Sequence, residues 1–81
     1  MKVSVLSSGS KGNVTYVEAS NKKFLLDAGR NYKYISDALK SINVDIKSID
    51  YIIISHDHKD HVSALKTIIA RTNATVIISQ K

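Results

Sequence analysis

A four-residue apolar run, Tyr51-Ile52-Ile53-Ile54, stops at Ser55 and passes straight into His56-Asp57-His58-Lys59-Asp60-His61. No other feature constrains the fold of this chain as strongly. A short continuous apolar run bounded by polar residues reads as a strand buried on both faces, as in the parallel sheets of α/β proteins. The segment that follows, Val62 to Ala70, places Val62, Leu65, Ile68 and Ile69 at helical spacing. Strand, polar junction and helix therefore succeed one another directly. All three histidines of the chain lie in that junction, with two aspartates between them.

Packing has no use for such a junction, whereas metal binding does. Neutral imidazole is the commonest protein ligand for zinc and similar ions, and carboxylate is the usual oxygen partner. In extended backbone, residues i and i+2 point the same way, so His56 and His58 can converge on one ion just past the strand. Asp60 and His61, where the chain turns into the helix, can reach a second ion beside it. Two ions roughly 3.5–4 Å apart can clamp a bridging water and a substrate oxygen. The spacing predicts half of a two-metal site with His56, His58, Asp60 and His61 as ligands. Asp57 and Lys59 read as solvent-facing, with Lys59 a weaker candidate for a phosphate contact. A lone histidine would fit a polar surface loop; this grouping at a strand-to-helix junction does not.

The rest of the chain reads as a frame for the junction. Met1 to Leu6 alternates, with Val3 and Val5 opposing Lys2 and Ser4, as a strand with one buried side. Ser7 to Asn13 is rich in small residues and does not meet the phosphate-loop pattern. It is either a plain hairpin connection or a loop whose N–H and hydroxyl groups line the rim of the metal site, with Ser8 and Asn13 as the substrate-binding candidates. Val14 to Ala19 and Phe24 to Leu26 complete an antiparallel meander across the polar turn Ser20-Asn21-Lys22-Lys23. Asp27-Ala28-Gly29 closes the third strand, where an aspartate can cap a turn. Asn31 is placed to cap a helix from about Tyr32 to Ser41. Its apolar stripe is Ile35, Leu39 and Ile42, with Lys33, Ser36, Asp37 and Lys40 towards water. Ile46 and Ile49 anchor the connector from Asn43 to Asp50, and Thr75 to Ser79 reads as a last buried strand.

Composition narrows the function classes. Cysteine is absent, which removes both disulfides and thiolate metal sites. No secretory pattern opens the chain and no apolar run approaches a membrane span. The cytoplasm is the expected compartment, and a membrane is not an expected partner. The formal charge of +5 is compatible with an anionic partner such as nucleic acid, although the lysines are scattered as on a solvated surface. Repeats, proline and low-complexity linkers are lacking, so residues 1–81 read as one unit without an internal boundary.

His56-x-His58-x-Asp60-His61 after an apolar strand resembles the metallo-β-lactamase superfamily. The segments Ser4-Val5-Leu6-Ser7-Ser8-Gly9-Ser10-Lys11-Gly12-Asn13 and Leu25-Leu26-Asp27-Ala28-Gly29 are similar to its WalJ/YycJ-type subgroup, bacterial metal-dependent hydrolases related to nucleases. The resemblance covers the whole chain. It implies an α/β fold of the α+β sandwich type, with this chain as the amino-terminal αβ half of a four-layer αββα fold. It implies that the Ser-Gly-Ser-x-Gly-Asn loop lies near the site and that Asp27 orients the metal ligands from behind. It further implies a hydrolase in which two divalent ions, zinc or manganese, activate a water that Asp60 also orients. Phosphodiesters of nucleic acid are the foremost substrate implied. The same motif serves thioester and lactone hydrolases, and a non-catalytic metal-binding or self-associating structural module is the reading from another class.

The second half of the superfamily's site would supply a further histidine, a bridging aspartate and a last histidine. No histidine follows His61. The chain alone is therefore expected to be inactive. A sheet with helices on one side only leaves an apolar face that needs covering. The expected partner is the missing carboxyl-terminal half or a second copy of the chain across that face.

Overall fold

Alternating sequence and turn chemistry build the first part of the sheet. In the computed structural model, which describes residues 1–9, 12–55 and 62–79, strands β1 (Lys2–Ser7), β2 (Val14–Ala19) and β3 (Lys22–Leu26) form an antiparallel meander. The β2–β3 turn holds Ser20 and Asn21 at φ 52° and 63°. Two successive left-handed residues match the right-handed twist of the flanking strands. Helix α1 (Tyr32–Ser41) then crosses over to β4 (Tyr51–Ser55), parallel to β3. Helix α2 (Val62–Arg71) crosses to β5 (Thr75–Ser79), parallel to β4. The strands lie in sequence order, β1-β2-β3-β4-β5.

The ends of α1 are set by local chemistry. The Asn31 side chain accepts a hydrogen bond from the Tyr34 amide at 2.8 Å, as expected for an N-cap. At the other end Asn43 takes φ 62°. The Asn43 N–H donates to Lys40 O at 3.0 Å and the Val44 N–H to Leu39 O at 2.9 Å. That pair of bonds is a Schellman motif. A short 3-10 turn, Ile46–Ser48, carries the chain to β4, with Ile46 and Ile49 buried as anticipated.

The core lies on one side of the sheet. Val14, Tyr16, Leu25, Ile52 and Ile54 meet Ile35 and Leu39 of α1, Ile68 of α2, and Val44, Ile46 and Ile49. Register ties the strand residues together: Ser4 pairs with Tyr16, Tyr16 with Leu25, Leu25 with Ile52 and Ile52 with Val76. The opposite face carries Val3, Val17, Phe24 and Tyr51 in one row and Val5, Thr15, Leu26, Ile53 and Ile77 in the next. The Phe24 and Tyr51 rings stack there, with centroids 5.4 Å apart. No helix among the described residues covers this face.

Four burial expectations are corrected by this arrangement. Val3 and Val5 are 57% and 64% exposed, because the register of β1 with Tyr16 turns Ser4 and Leu6, not the valines, towards the helices. β5 is an edge strand whose Ile77 and Ile78 are 45% and 61% exposed, not a buried one. Within β4, Ile52 and Ile54 are buried but Tyr51 and Ile53 only half-buried, so one face of that strand is covered. On α1, Ser36 is buried rather than facing water. No helix among the described residues is long and apolar enough to cross a membrane.

Candidate functional site

Strands β1, β3, β4 and β5 all end at one edge of the sheet. Ser7 pairs with Val14, Leu26 with both Thr15 and Ile53, and Ser55 with Ser79. The chain leaves β4 at Ser55 on this edge and enters α2 at Val62. The segment between them is the histidine junction. His56, His58, Asp60 and His61, with Asp57 and Lys59, lie outside the described residues, as do Ser10 and Lys11. The structure thus positions the residues on either side of segment 56–61. Among the described residues no group of three or more His, Cys, Asp or Glu could hold a metal ion. As a donor set, imidazoles with carboxylate and without thiolate suit a divalent ion such as zinc.

Two loops meet at the same edge. Gly12 has φ +120° and packs so closely on Gly29 that an added Cβ would stand 2.0 Å from the Gly29 carbonyl oxygen. The Gly29 N–H donates to Asn13 O at 3.1 Å. The Ser7 hydroxyl donates to Gly12 O at 2.9 Å, and the Gly9 N–H donates to the Asn13 side-chain oxygen at 3.2 Å. The serine–glycine loop and the Asp-Ala-Gly segment are therefore a single joint built on backbone contact. Asn13 spends its side-chain oxygen closing its own loop, while Ser8 is exposed.

Asp27 follows β3 with a left-handed φ of 68°, a conformation aspartate tolerates better than most residues. Its N–H donates to Ile53 O at 2.8 Å. That bond carries the β3–β4 pairing almost to Ser55, so Asp27 stands beside the strand that delivers the histidine segment. Non-glycine residues held in this region are strained and cluster at functional sites.

Arg30, Tyr34 and Ser7 form a cluster that sequence reasoning missed. The Arg30 guanidinium lies over the Tyr34 ring, 3.8 Å from its centroid. Its Nη1 donates to Ser7 Oγ at 3.4 Å. The Tyr34 hydroxyl donates to Leu6 O at 3.0 Å. Arg30 precedes the N-cap Asn31 and lies outside α1, so helical spacing gives no signal for the pair. The clear pKa perturbation among the described residues lies away from this edge. Burial, assisted by the Tyr16 hydroxyl donating to Glu18 Oε1 at 2.8 Å, pushes Tyr16 up to about 12.

Comparison with known proteins identifies the family of the chain. The profile of the Metallo-beta-lactamase superfamily matches residues 8–81. The chain belongs to the metallo-beta-lactamase superfamily. It is 38% identical over 80 residues to the exodeoxyribonuclease WalJ of Streptococcus pneumoniae serotype 2, covering 99% of this chain and 30% of that protein. It is 35% identical over 78 residues to the exodeoxyribonuclease YycJ of Bacillus anthracis, covering 96% and 30%. The solved structure of the Rm3 metallo-beta-lactamase superposes with a TM-score of 0.72 at 25% identity, covering 91% of this chain and 28% of that one. The chain thus spans about 30% of the length of the curated relatives it matches. The superfamily and subgroup resemblance read from the motifs is borne out, and so is the fold class: the mixed sheet with two helices is part of the metallo-beta-lactamase fold. Membership of the superfamily makes divalent metal the expected cofactor.

Proposed function

We propose that this chain supplies the histidine half of a metal-dependent hydrolase that cleaves phosphodiesters in nucleic acid. One observation carries the reading. β4 and α2 bracket His56 to His61 at the edge where the Gly12–Gly29 joint gathers the other loops. The exodeoxyribonuclease relatives support nucleic acid as the substrate class, and the net charge of +5 is compatible with it.

His56 and His58 would hold one ion, and Asp60 and His61 the other, with zinc or manganese as the metal. When bound, such ions acidify water and polarise a phosphoryl oxygen. The chain's own groups supply the rest. Asp60 orients the attacking water through its carboxylate. Asp27 steadies the ligand segment from the neighbouring strand. Ser8 and Asn13 line the rim where substrate enters. The N-terminus of α2 favours a nearby anion. The open sheet face, with Val3, Val5 and Ile77 exposed, is covered in the working enzyme by a carboxyl-terminal αβ half. A second copy of this chain is the competing occupant.

Calorimetric titration with zinc and with manganese, with mass from light scattering in the same buffer, tests the reading. Binding at micromolar or tighter affinity by a monomer is expected, with loss of binding in His58→Ala. Unchanged affinity in His58→Ala would remove the ligand assignment. A dimer in the same buffer would identify the second copy as the occupant of the open face.

A further inference from the structure

We propose that Arg30 is a phosphate-binding residue, holding a non-bridging oxygen of a nucleic-acid phosphate at the sheet edge that carries the histidine segment. The inference rests on the hydrolase reading above and adds a substrate contact to it.

Three observations carry it. The first is position. Arg30 follows β3 and the Asp27-Ala28-Gly29 turn, and its guanidinium reaches back to Ser7 at the end of β1. That is the edge at which β4 hands the chain to His56. The second is preorganisation. One face of the guanidinium is taken up by the Tyr34 ring at 3.8 Å, and that ring is pinned by its hydroxyl to Leu6 O. A stacked, half-buried guanidinium loses less freedom on binding than a solvated one. The third is unspent capacity. A guanidinium carries five N–H donors, and among the described residues only Ser7 Oγ accepts one, at the long distance of 3.4 Å. No carboxylate among the described residues pairs with it. A planar fork held against an aromatic ring, its other donors without a partner among the described residues, matches a phosphate bidentately.

The geometry also says which phosphate. β1 and β4 are separated by β2 and β3, so three spacings of about 4.8 Å put the Ser7 column about 14 Å from the β4 column. Arg30 therefore grips a phosphate flanking the one cleaved. Its contribution is to affinity and to placement of the strand, not to bond breaking.

The test is fluorescence anisotropy of a labelled single-stranded dT12 oligonucleotide over a salt series. The proteins are the wild-type chain, Arg30→Gln, Arg30→Lys and Lys22→Gln. Lys22 begins β3 at the opposite edge and is exposed, so its variant removes the same charge in the wrong place. We expect Arg30→Gln to weaken binding about tenfold or more. The slope of log K against log salt should shrink by about 0.7, one single-strand phosphate contact. Arg30→Lys should keep that slope while losing part of the affinity, and it keeps the charge should Arg30→Gln fold poorly. Lys22→Gln should change affinity less than about twofold. Equal affinities and slopes in Arg30→Gln and Lys22→Gln would overturn the inference and leave the nucleic-acid reading standing. No oligonucleotide binding by the wild type, with Arg30-dependent binding of inorganic phosphate, would uphold the oxyanion contact and overturn nucleic acid as its source. Binding of neither probe by the wild type would overturn both.

Discussion

Gly12→Ala is expected to break the joint between the two loops, with Gly9→Ala as its internal control. Both glycines sit at positive φ, +120° and +105°, where a side chain costs about 1–3 kcal/mol in backbone strain. The two sites differ in what the new methyl meets. At Gly9 it finds nothing within 4 Å, whereas at Gly12 it would stand 2.0 Å from the Gly29 oxygen and 2.6 Å from its carbonyl carbon. That obstacle is backbone, held in turn by the Gly29–Asn13 hydrogen bond, so no rotamer change relieves it. Overpacking of this kind adds about 1–3 kcal/mol. Loss of the bonds at Gly12 O and Gly29 N adds about 0.5–1.5 kcal/mol each. The total for Gly12→Ala is about 3–9 kcal/mol against about 1–3 kcal/mol for Gly9→Ala. A chain of this length has about 4–12 kcal/mol of stability in all, and in a domain this small 1 kcal/mol moves Tm by about 4–8 °C. Thermal melts followed by circular dichroism should place Gly12→Ala at least about 10 °C below Gly9→Ala, or already unfolded. Melting of the two variants within about 4 °C of each other would mean that the loops do not touch, and the joint would be wrong.

Two further predictions concern the faces of the sheet and the buried tyrosine. Val5→Lys, on the open face, should change the urea-unfolding free energy by less than about 1 kcal/mol, whereas Leu25→Ala on the helix side should cost about 2–5 kcal/mol; similar losses in both would show that the faces are wrongly assigned. Tyr16 sets the third prediction, because its hydroxyl is pushed up to about 12 from 10.0, by burial first and Glu18 second. Above pH 10 the unfolded chain releases this proton while the folded chain keeps it, so the contribution is intact below pH 10 and is lost as pH rises towards 12. The stability difference between wild type and Tyr16→Phe should shrink across that window, and a constant difference in urea midpoints would refute the assignment.

Much of the fold was legible because local rules govern it. Asn31 caps α1, the period-3.6 stripes mark both helices, and a turn was expected over Ser20-Asn21-Lys22-Lys23, although only Ser20 and Asn21 make it and Lys22 and Lys23 already pair in β3. Each depends on neighbours within a few positions. The superfamily was legible as well, from the motif residues after the apolar strand, while the roles of His56, His58, Asp60 and His61 lie outside the described residues. Arg30 was not legible. Its partner Ser7 is distant in sequence, and although a meander brings the ends of β1 and β3 to one edge, nothing in the order of residues announces that Arg30 reaches across β2 to Ser7.

By itself, then, the sequence determined the elements, their order and the superfamily. The tertiary structure alone decided which side of each strand is inside. Alternation with a period of two says that two faces differ but not which one a helix will cover. Val3 and Val5 read as buried on that pattern and are exposed, because pairing of Ser4 with Tyr16 commits the other face of β1 to the core. The tertiary structure likewise decided that Gly12 and Gly29, glycines of two separate segments, are one contact, and that a guanidinium stands at the edge where β1 and β4 end. Those are consequences of strand register, which is a property of pairs of segments and cannot be read from either one.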